Sequence, residues 1–221
     1  MNLVCVFLDL LFPPKCPFCD RLLENGQTLL CPDCQRDLPW TPGTFREGKG
    51  EFLTACAAPL LYQDMVRTSH HRYKFSGIRS YAVPYAELMA QCAADRLEAD
   101  FDVLTWVPLS AKRRRRRGYD QSELLARELS RRMGVPVQRL LNKVRNTPAQ
   151  SGIKDASARR ANVLGAYTLY SGAQVSGRRI LLVDDVMTTG STVSECARIL
   201  RAAGADAVSC LTLAATGRDE R

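Results

Sequence analysis

Two adjacent carboxylates precede a loop of hydroxyl residues and glycine in the C-terminal part of the chain. Residues 180–183 form a short apolar run typical of a buried strand, and Asp184 and Asp185 follow it directly. Ligands of open α/β sheets bind beyond the carboxyl ends of the strands. Paired carboxylates there can accept hydrogen bonds from sugar hydroxyls or orient water on Mg²⁺.

The loop that follows has the composition of a phosphate cradle. It consists of Thr188, Thr189, Gly190, Ser191 and Thr192 and leads into a predicted helix over residues 191–203. Backbone N–H groups and hydroxyls at a helix N-terminus favour a phosphate. The segment therefore predicts a phosphate site beside two carboxylates. The alternative is an acidic strand end followed by an ordinary helix cap.

A second candidate site consists of four cysteines near the start of the chain. Two Cys-x-x-Cys pairs, separated by eleven residues, contain these cysteines: Cys16, Cys19, Cys31 and Cys34. Four thiolates match tetrahedral Zn²⁺ with no open position, which is a structural site. Disulfides and an iron–sulfur cluster are the alternatives. The chain has nine cysteines, an odd number that suits a disulfide framework poorly, so we expect a reducing, cytoplasmic compartment.

Positive charge is concentrated in the second half of the chain. Residues 101–221 contain 21 Lys and Arg against 11 Asp and Glu, whereas residues 1–100 contain 10 and 12. Such a basic half favours polyanions such as phosphates, pyrophosphate or nucleic acid. The densest part is the run of six basic residues at 112–117, which is either a solvated surface or a track for a nucleic-acid backbone. No apolar run approaches the roughly 18–20 residues of a membrane span.

Hydrophobic periodicity and turn residues predict the elements that position these residues. We expect a small zinc-binding module with its linker at residues 1–50 and an α/β domain at residues 51–221. In the second region strands alternate with helices, which is typical of a parallel sheet flanked by helices. The predicted strands are residues 55–62, 103–107, 166–170, 180–183 and 207–214, and the predicted helices are residues 83–97, 124–133 and 191–203. Residues 67–79 are expected to form a polar, basic turn in which His70 and His71 are a solvent-exposed pair.

The segment at 180–192 resembles the motif of type I phosphoribosyltransferases that binds phosphoribosyl pyrophosphate (PRPP). That motif is an apolar stretch followed by Asp-Asp-x-x-Thr-Thr-Gly-x-Thr. The resemblance implies that Asp184 and Asp185 bind the ribose hydroxyls and are the catalytic residues of the site. It also implies that residues 188–192 bind the 5′-phosphate and that Mg²⁺ accompanies PRPP.

Three further stretches, together with the cysteine pairs, resemble the ComF/GntX family. They are Lys74-Phe75-Ser76-Gly77, Val107-Pro108-Leu109-Ser110 leading to Arg117-Gly118-Tyr119-Asp120-Gln121-Ser122, and Arg145-Asn146-Thr147-Pro148-Ala149-Gln150 leading to Arg159-Arg160-Ala161-Asn162-Val163. Members of this family are bacterial phosphoribosyltransferase-like proteins associated with natural competence or with the use of DNA as a nutrient. One residue departs from the pattern, since the family usually has Asn at the position of Asp120.

The resemblance gives the basic residues candidate roles. The loop after residues 103–107 matches the pyrophosphate loop of type I enzymes, so Lys112, Arg113 and Arg117 become candidates for binding pyrophosphate or another polyanion, together with Lys74. Arg145 and Arg159 lie in a stretch that resembles the mobile hood loop of these enzymes. The alternative for that stretch is an ordinary surface loop.

Three functions are compatible with these residues. The first is a PRPP-binding protein of ComF/GntX type that acts on or alongside single-stranded DNA during uptake. The second is a salvage phosphoribosyltransferase for a free nucleobase, which leaves the cysteine module and the basic run without a purpose. The third is a non-enzymatic DNA-binding or assembly protein that keeps the fold as a scaffold or a PRPP sensor. Competence-machinery proteins at the inner membrane face and a second copy of the chain are further partners compatible with the resemblance.

Overall fold

The chain folds around a parallel β-sheet. The computed structural model describes residues 13–24, 29–43, 52–97, 100–145 and 161–217. Within them the strands are β1 Ala55–Ala57, β2 Leu60–Leu61, β3 Val103–Trp106, β4 Leu141–Lys143, β5 Tyr167–Leu169, β6 Arg179–Met187 and β7 Ala207–Ala215. The helices are α1 Pro32–Asp37, α2 Asp64–Phe75, α3 Ala82–Arg96, α4 Ala111–Arg117, α5 Gln121–Met133 and α6 Ser191–Ala202, with a 3₁₀ helix at Arg79–Tyr81.

Strand β6 occupies the interior of the main sheet. The strand order is β1–β7–β6–β3, every pairing is parallel, and β2 also pairs with β7. Successive side chains of a strand point to opposite faces. Leu181 and Val183 accordingly lie in the core shared with α3 and α5, while Ile180 and Leu182 lie in the core shared with α6. The predicted parallel sheet flanked by helices is therefore confirmed, and β4 and β5 form a separate antiparallel pair.

The predicted turn at residues 67–79 is wrong, because helix α2 covers most of it. Its buried side chains are Val66, Ser69, His70 and Tyr73, at the spacing of one helical face. Two of these four side chains are polar, so the apolar period that identifies a helix in a sequence is absent.

The predicted strand at residues 55–62 is also inaccurate. It is divided into β1 and β2 around Pro59, which has no N–H to contribute to a ladder. Both pieces still pair with β7, so the position of this segment in the sheet is as expected.

The cysteine module packs against the α/β body. Cys16, Phe18 and Leu38 belong to the same buried cluster as residues of α3 and α5. The Phe18 ring lies 5.7 Å from the ring of Tyr85 in α3. The module therefore shares a core with the α/β body, while the boundary between residues 50 and 51 stays a prediction. Within the described ranges, no helix has both the length and the apolarity that a membrane crossing requires.

Candidate ligand site

The two carboxylates predicted from the sequence lie near the carboxyl end of β6 and have different surroundings. Asp184 is partly exposed, and its Oδ1 accepts hydrogen bonds from Ser122 Oγ and from the backbone N–H of Asp185, both at 2.9 Å. Ser122 sits in the first turn of α5, which begins beside this edge of the sheet. Loss of solvent raises the pKa of Asp184 to about 7, and the charge of Asp185 contributes in the same direction.

Asp185 is buried and is held by helix α2. Lys74 Nζ lies 2.8 Å from Asp185 Oδ2, and His70 Nε2 lies 3.3 Å from the same oxygen. Burial alone would raise the pKa of Asp185, but the opposing effects of Lys74 and His70 are larger and hold it well below its usual range. We call these three residues the Asp185 clamp.

The expectation that His70 is solvent-exposed is wrong, because only 3% of its surface is accessible. Its Nδ1 lies 3.1 Å from the hydroxyl of Tyr62. Burial, followed by the charge of Lys74, lowers the pKa of His70, so the ring is neutral at pH 7. His71 is exposed, as expected, and its ring lies 4.7 Å from that of Phe75.

The predicted phosphate loop joins β6 to α6. Gly190 is the N-cap of α6 and has a φ of 75°, a left-handed conformation that glycine adopts without strain. The hydroxyls of Thr189 and Ser191 lie 2.9 Å apart, and the hydroxyl of Thr216 donates to the carbonyl of Thr188 at 3.2 Å. A cavity of about 30 Å³ lies between Asp184 and this loop, and Thr188, Gly190, Ser191 and Thr192 are among its lining residues.

The basic run forms a short helix, α4, where the sequence indicated a loop. Ser110 caps its start by accepting a hydrogen bond from the N–H of Arg113, and Gly118 ends it with a φ of 81°. Arg113 and Arg117 are one turn apart and partly buried, whereas Lys112 is exposed. The helix thus divides its basic side chains between an inner face and an outer face.

A second cavity, of about 350 Å³, lies between the inner face of α4 and the end of α2. We call it the basic pocket. Its lining residues are Lys74, Phe75, Ser76, Gly77, Arg113, Arg116, Arg117 and Tyr119. Since Lys74 also belongs to the Asp185 clamp, the basic pocket adjoins the end of β6. Three of the predicted pyrophosphate residues meet here, but Lys112 does not line the pocket.

Phe75 forms part of the pocket wall and is 58% exposed, and the Arg117 guanidinium carbon lies 5.1 Å from the centre of its ring.

Of the two arginines in the predicted hood loop, the structure places one. Arg145 is exposed and donates to the backbone carbonyls of Asn162 and Leu164, at 3.2 and 2.8 Å. It therefore bridges the segments on either side of residues 146–160. Arg159 lies outside the described residues, as does most of the loop.

Two functional candidates were missed from the sequence besides His70. Lys143 on β4 donates to the hydroxyl of Tyr167 on β5 at 2.9 Å, and burial, followed by the charge of Arg113, lowers its pKa to about 8. Ser122 supports Asp184 from α5. No local pattern marks Lys143 or Ser122. A signal did exist for His70, since it lies four residues before Lys74 and therefore on the same face of a helix.

Asp120, the residue that departs from the family pattern, caps helix α5. Its side chain accepts from the N–H groups of Ser122 and Glu123, at 3.2 and 3.4 Å. It also accepts from the N–H of Leu109 at 2.8 Å. Burial raises the pKa of Asp120 to about 6 despite these hydrogen bonds. Asp120 therefore positions the loop before α4 as well as the helix that presents Ser122.

The four paired cysteines meet as the spacing predicted. The Sγ atoms of Cys16, Cys19, Cys31 and Cys34 all lie within 4.8 Å of one another. A tetrahedral zinc ion with Zn–S bonds near 2.3 Å requires Sγ–Sγ distances of about 3.8 Å, so the cluster fits the ion. Burial would raise the pKa of Cys19, but hydrogen bonds with Arg21 outweigh it and lower the pKa to about 6, which favours the thiolate that zinc requires.

Comparison with known proteins identifies a family domain in each of two regions of the chain. Residues 7–47 match the double zinc ribbon domain, and residues 120–221 match the phosphoribosyl transferase domain. Over 215 residues the chain is 31% identical to the DNA utilization protein YhgH of Escherichia coli, an alignment that covers 91% of this chain and 90% of that protein. The chain belongs to the ComF/GntX family.

Two further relatives of this ComF-family protein have names that refer to competence. Competence protein ComFC of Bacillus subtilis is 28% identical over 205 residues, covering 90% of this chain and 76% of that protein. Competence protein F of Haemophilus influenzae is 40% identical over 110 residues, and there the chain spans about half the length of its relative, 48%. The family confirms the type I phosphoribosyltransferase fold, and the double zinc ribbon with its four-cysteine cluster supports a structural zinc site.

Proposed function

We propose that this protein binds PRPP with Mg²⁺ at the end of β6 and acts in DNA uptake or DNA utilisation in the cytoplasm. The observation that carries the proposal is the arrangement around residues 184–192. Two carboxylates, a Thr/Gly/Ser loop at a helix N-terminus and a basic pocket adjoin one another at the edge where open α/β sheets bind ligands. The names of the relatives, which refer to competence and DNA utilization, support the biological context.

PRPP has three polar parts, and each has a chemical counterpart in the site. The 5′-phosphate suits the loop at residues 188–192, whose N–H groups and hydroxyls lie at the start of α6. The ribose hydroxyls suit Asp184, which is partly exposed and borders the loop cavity. The pyrophosphate suits the basic pocket, where Arg113 and Arg117 can pair with phosphate oxygens.

Mg²⁺ fits the same edge of the sheet. It prefers to keep several waters and to bind through one or two carboxylates together with substrate phosphates, and Asp184 is the carboxylate accessible to it. When bound, the ion neutralises charge on the pyrophosphate oxygens.

A transferase reaction follows from PRPP held in this way. The bond between C1 of the ribose and pyrophosphate breaks, the pyrophosphate keeps the bonding electrons, and an acceptor nucleophile forms the new bond to C1. The arginines of the basic pocket stabilise the charge on the departing pyrophosphate, and the loop and Asp184 orient the ribose. Nothing in this scheme requires a covalent intermediate with the protein.

Single-stranded DNA is a second proposed ligand, and the outer face of α4 favours it. Lys112 and Arg115 are exposed on this helix, on the side away from the partly buried Arg113 and Arg117. When exposed cations neutralise the phosphates of DNA, the counterions bound to the DNA are released, so the affinity falls steeply as the salt concentration rises. The two ligands therefore involve different side chains of one helix and can be tested separately.

The test of PRPP binding is calorimetry on zinc-loaded protein with excess Mg²⁺. We expect micromolar affinity for the natural chain. We also expect at least a tenfold loss for Asp184→Asn, because a hydrogen bond to a charged group contributes about 1.5–3 kcal/mol. Asp206→Asn is the matched control, since Asp206 is exposed and precedes β7 at the opposite edge of the sheet. No binding by the natural chain, or equal losses in both variants, would contradict the proposal.

A further inference from the structure

Helix α2 joins the cysteine module to the ligand site. The guanidinium of Arg72 donates from Nη2 to the carbonyls of Pro17 and Phe18, at 2.8 and 2.9 Å. These two carbonyls lie between Cys16 and Cys19 and so belong to the first zinc knuckle. A planar guanidinium that donates to two neighbouring carbonyls fixes the knuckle relative to the helix more tightly than one hydrogen bond would.

A second contact of α2 with the knuckle is fully buried. The hydroxyl of Ser69 donates to the carbonyl of Pro17 and also contacts the hydroxyl of Tyr85 in α3. The Tyr85 ring in turn packs against Phe18. Buried polar contacts of this kind have few alternative arrangements, because an unpaired partner would be left without water.

The same helix supplies two of the three residues of the Asp185 clamp. His70 and Lys74 are four residues apart, and both reach Asp185 Oδ2. They alternate along α2 with the residues that hold the knuckle, Ser69 and Arg72. A helix keeps such neighbours at fixed relative positions, with a rise of about 1.5 Å per residue. A rotation or shift of α2 that loosens the knuckle contacts therefore displaces the clamp as well.

We propose that Arg72 is a positioning residue through which the zinc knuckle sets the geometry of the Asp185 clamp and of the basic pocket beside it. Zinc in the module thereby raises the affinity of the ligand site for its anionic ligand. The part of this inference that concerns affinity rests on the proposed function, with PRPP as the ligand. The part that concerns the clamp does not depend on any ligand.

Histidine NMR reports on the clamp directly. The chain contains two histidines, His70 in the clamp and His71 on the surface, so the second serves as an internal reference. Ring resonances would be recorded for zinc-loaded natural chain, Arg72→Ala, Arg72→Lys and Arg36→Ala. Arg36 is the matched control, because it is exposed on α1 and pairs with Asp33 and Asp37 within the module. Zinc content and the dispersion of the amide spectrum show that each variant is loaded and folded.

We expect the His70 resonance to move in Arg72→Ala and to remain in place in Arg36→Ala. Arg72→Lys should give an intermediate change, since an amine can replace one of the two hydrogen bonds, and it provides the result if Arg72→Ala does not fold. Affinity for PRPP with Mg²⁺ should fall by a factor of about 5–150 in Arg72→Ala, the usual range for coupling between two sites. The affinity in Arg36→Ala should equal that of the natural chain.

The outcomes separate this inference from the proposed function. A His70 resonance that is the same in the natural chain and in a folded, zinc-loaded Arg72 variant would overturn the inference, whatever the affinity for PRPP. A displaced His70 resonance with unchanged PRPP affinity would overturn the link between the zinc knuckle and the ligand site. A displaced resonance in a protein whose natural chain binds no PRPP would support the role of Arg72 in the clamp and would reject the proposed function alone.

Discussion

Replacing Lys74 with Met should reveal how strongly the Asp185 clamp stabilises the fold. Methionine keeps the length of the side chain and removes the charge that lies 2.8 Å from Asp185 Oδ2. Removing one partner of a buried ion pair costs about 3–5 kcal/mol, because the other charge remains buried. The Lys74 side chain is 22% exposed, so water compensates in part and we expect a loss of about 2–4 kcal/mol at pH 8.

The sign of the pH dependence tests the mechanism of that loss. In the natural chain the pKa of Asp185 is lower in the folded state than in the unfolded state, where it is near 3.9. The ionised Asp185 therefore stabilises the fold above pH 3.9, and this stability is lost as the pH falls through the lower folded-state pKa. In Lys74→Met, one cause of the lowered pKa of His70 is gone. The lowered pKa of His70 destabilises the natural chain as the pH falls below about 6.5, because the unfolded chain then binds this proton more readily, and the destabilisation is smaller in the variant. The stability lost through Lys74→Met should therefore be smaller at pH 6 than at pH 8.

Urea unfolding with zinc present, at pH 6 and pH 8, measures these differences. The double variant Lys74→Met/Asp185→Asn should recover most of the loss, since it no longer buries an unpaired charge. Arg131→Met is the control, because Arg131 pairs with Glu128 on the surface of α5 and such pairs contribute about 0–1 kcal/mol. A loss below about 0.5 kcal/mol, or a double variant no more stable than Lys74→Met, would refute the clamp as we describe it.

Four other outcomes follow from the structure. Affinity for PRPP with Mg²⁺, measured by calorimetry, should rise about tenfold from pH 6 to pH 8, because Asp184 has a pKa of about 7 and loses its proton over this range. The rise should be absent in Asp184→Asn. Removal of zinc by a chelator, or Cys34→Ser, should lower the midpoint of thermal unfolding, because the cysteine cluster lies in the same core as α3 and α5. An unchanged midpoint would show that the module does not unfold cooperatively with the rest of the chain. Lys112→Ala/Arg115→Ala should reduce the slope of log Kobs against log salt for single-stranded DNA by about 1.4, and an unchanged slope would remove the outer face of α4 from the interface. Asp120→Ala should lower the free energy of unfolding in urea by about 1–2 kcal/mol, because α5 loses its N-cap. Asp120→Asn keeps an acceptor oxygen and should therefore be less destabilised than Asp120→Ala.

The parts of the fold that the sequence predicts are those governed by local patterns. The run at residues 180–183 is apolar because β6 is covered on both faces, and four thiolates at Cys-x-x-Cys spacing allow few geometries other than a metal site. The cap at Asp120 likewise depends on neighbours within three residues. Each of these features can therefore be predicted from the amino-acid sequence alone.

Helix α2 and the Asp185 clamp could not be predicted in the same way. The buried face of α2 contains Ser69 and His70, whose partners are Pro17 and Asp185, both distant in the sequence. A polar side chain is buried only where it has a hydrogen-bonding or charged partner, and no local sequence pattern indicates a partner that is distant in the sequence. Lys143 could not be predicted for the same reason, because its partner Tyr167 follows the predicted hood loop in the sequence.

A crystal structure of the zinc-loaded protein with PRPP and Mg²⁺ tests the central claim most directly. The site we describe predicts the 5′-phosphate within hydrogen-bonding distance of the N–H groups of residues 188–192, a ribose hydroxyl on Asp184, and the pyrophosphate beside Arg113 and Arg117. Phosphate groups of PRPP found only on the outer face of α4, with the loop before α6 empty, would contradict it.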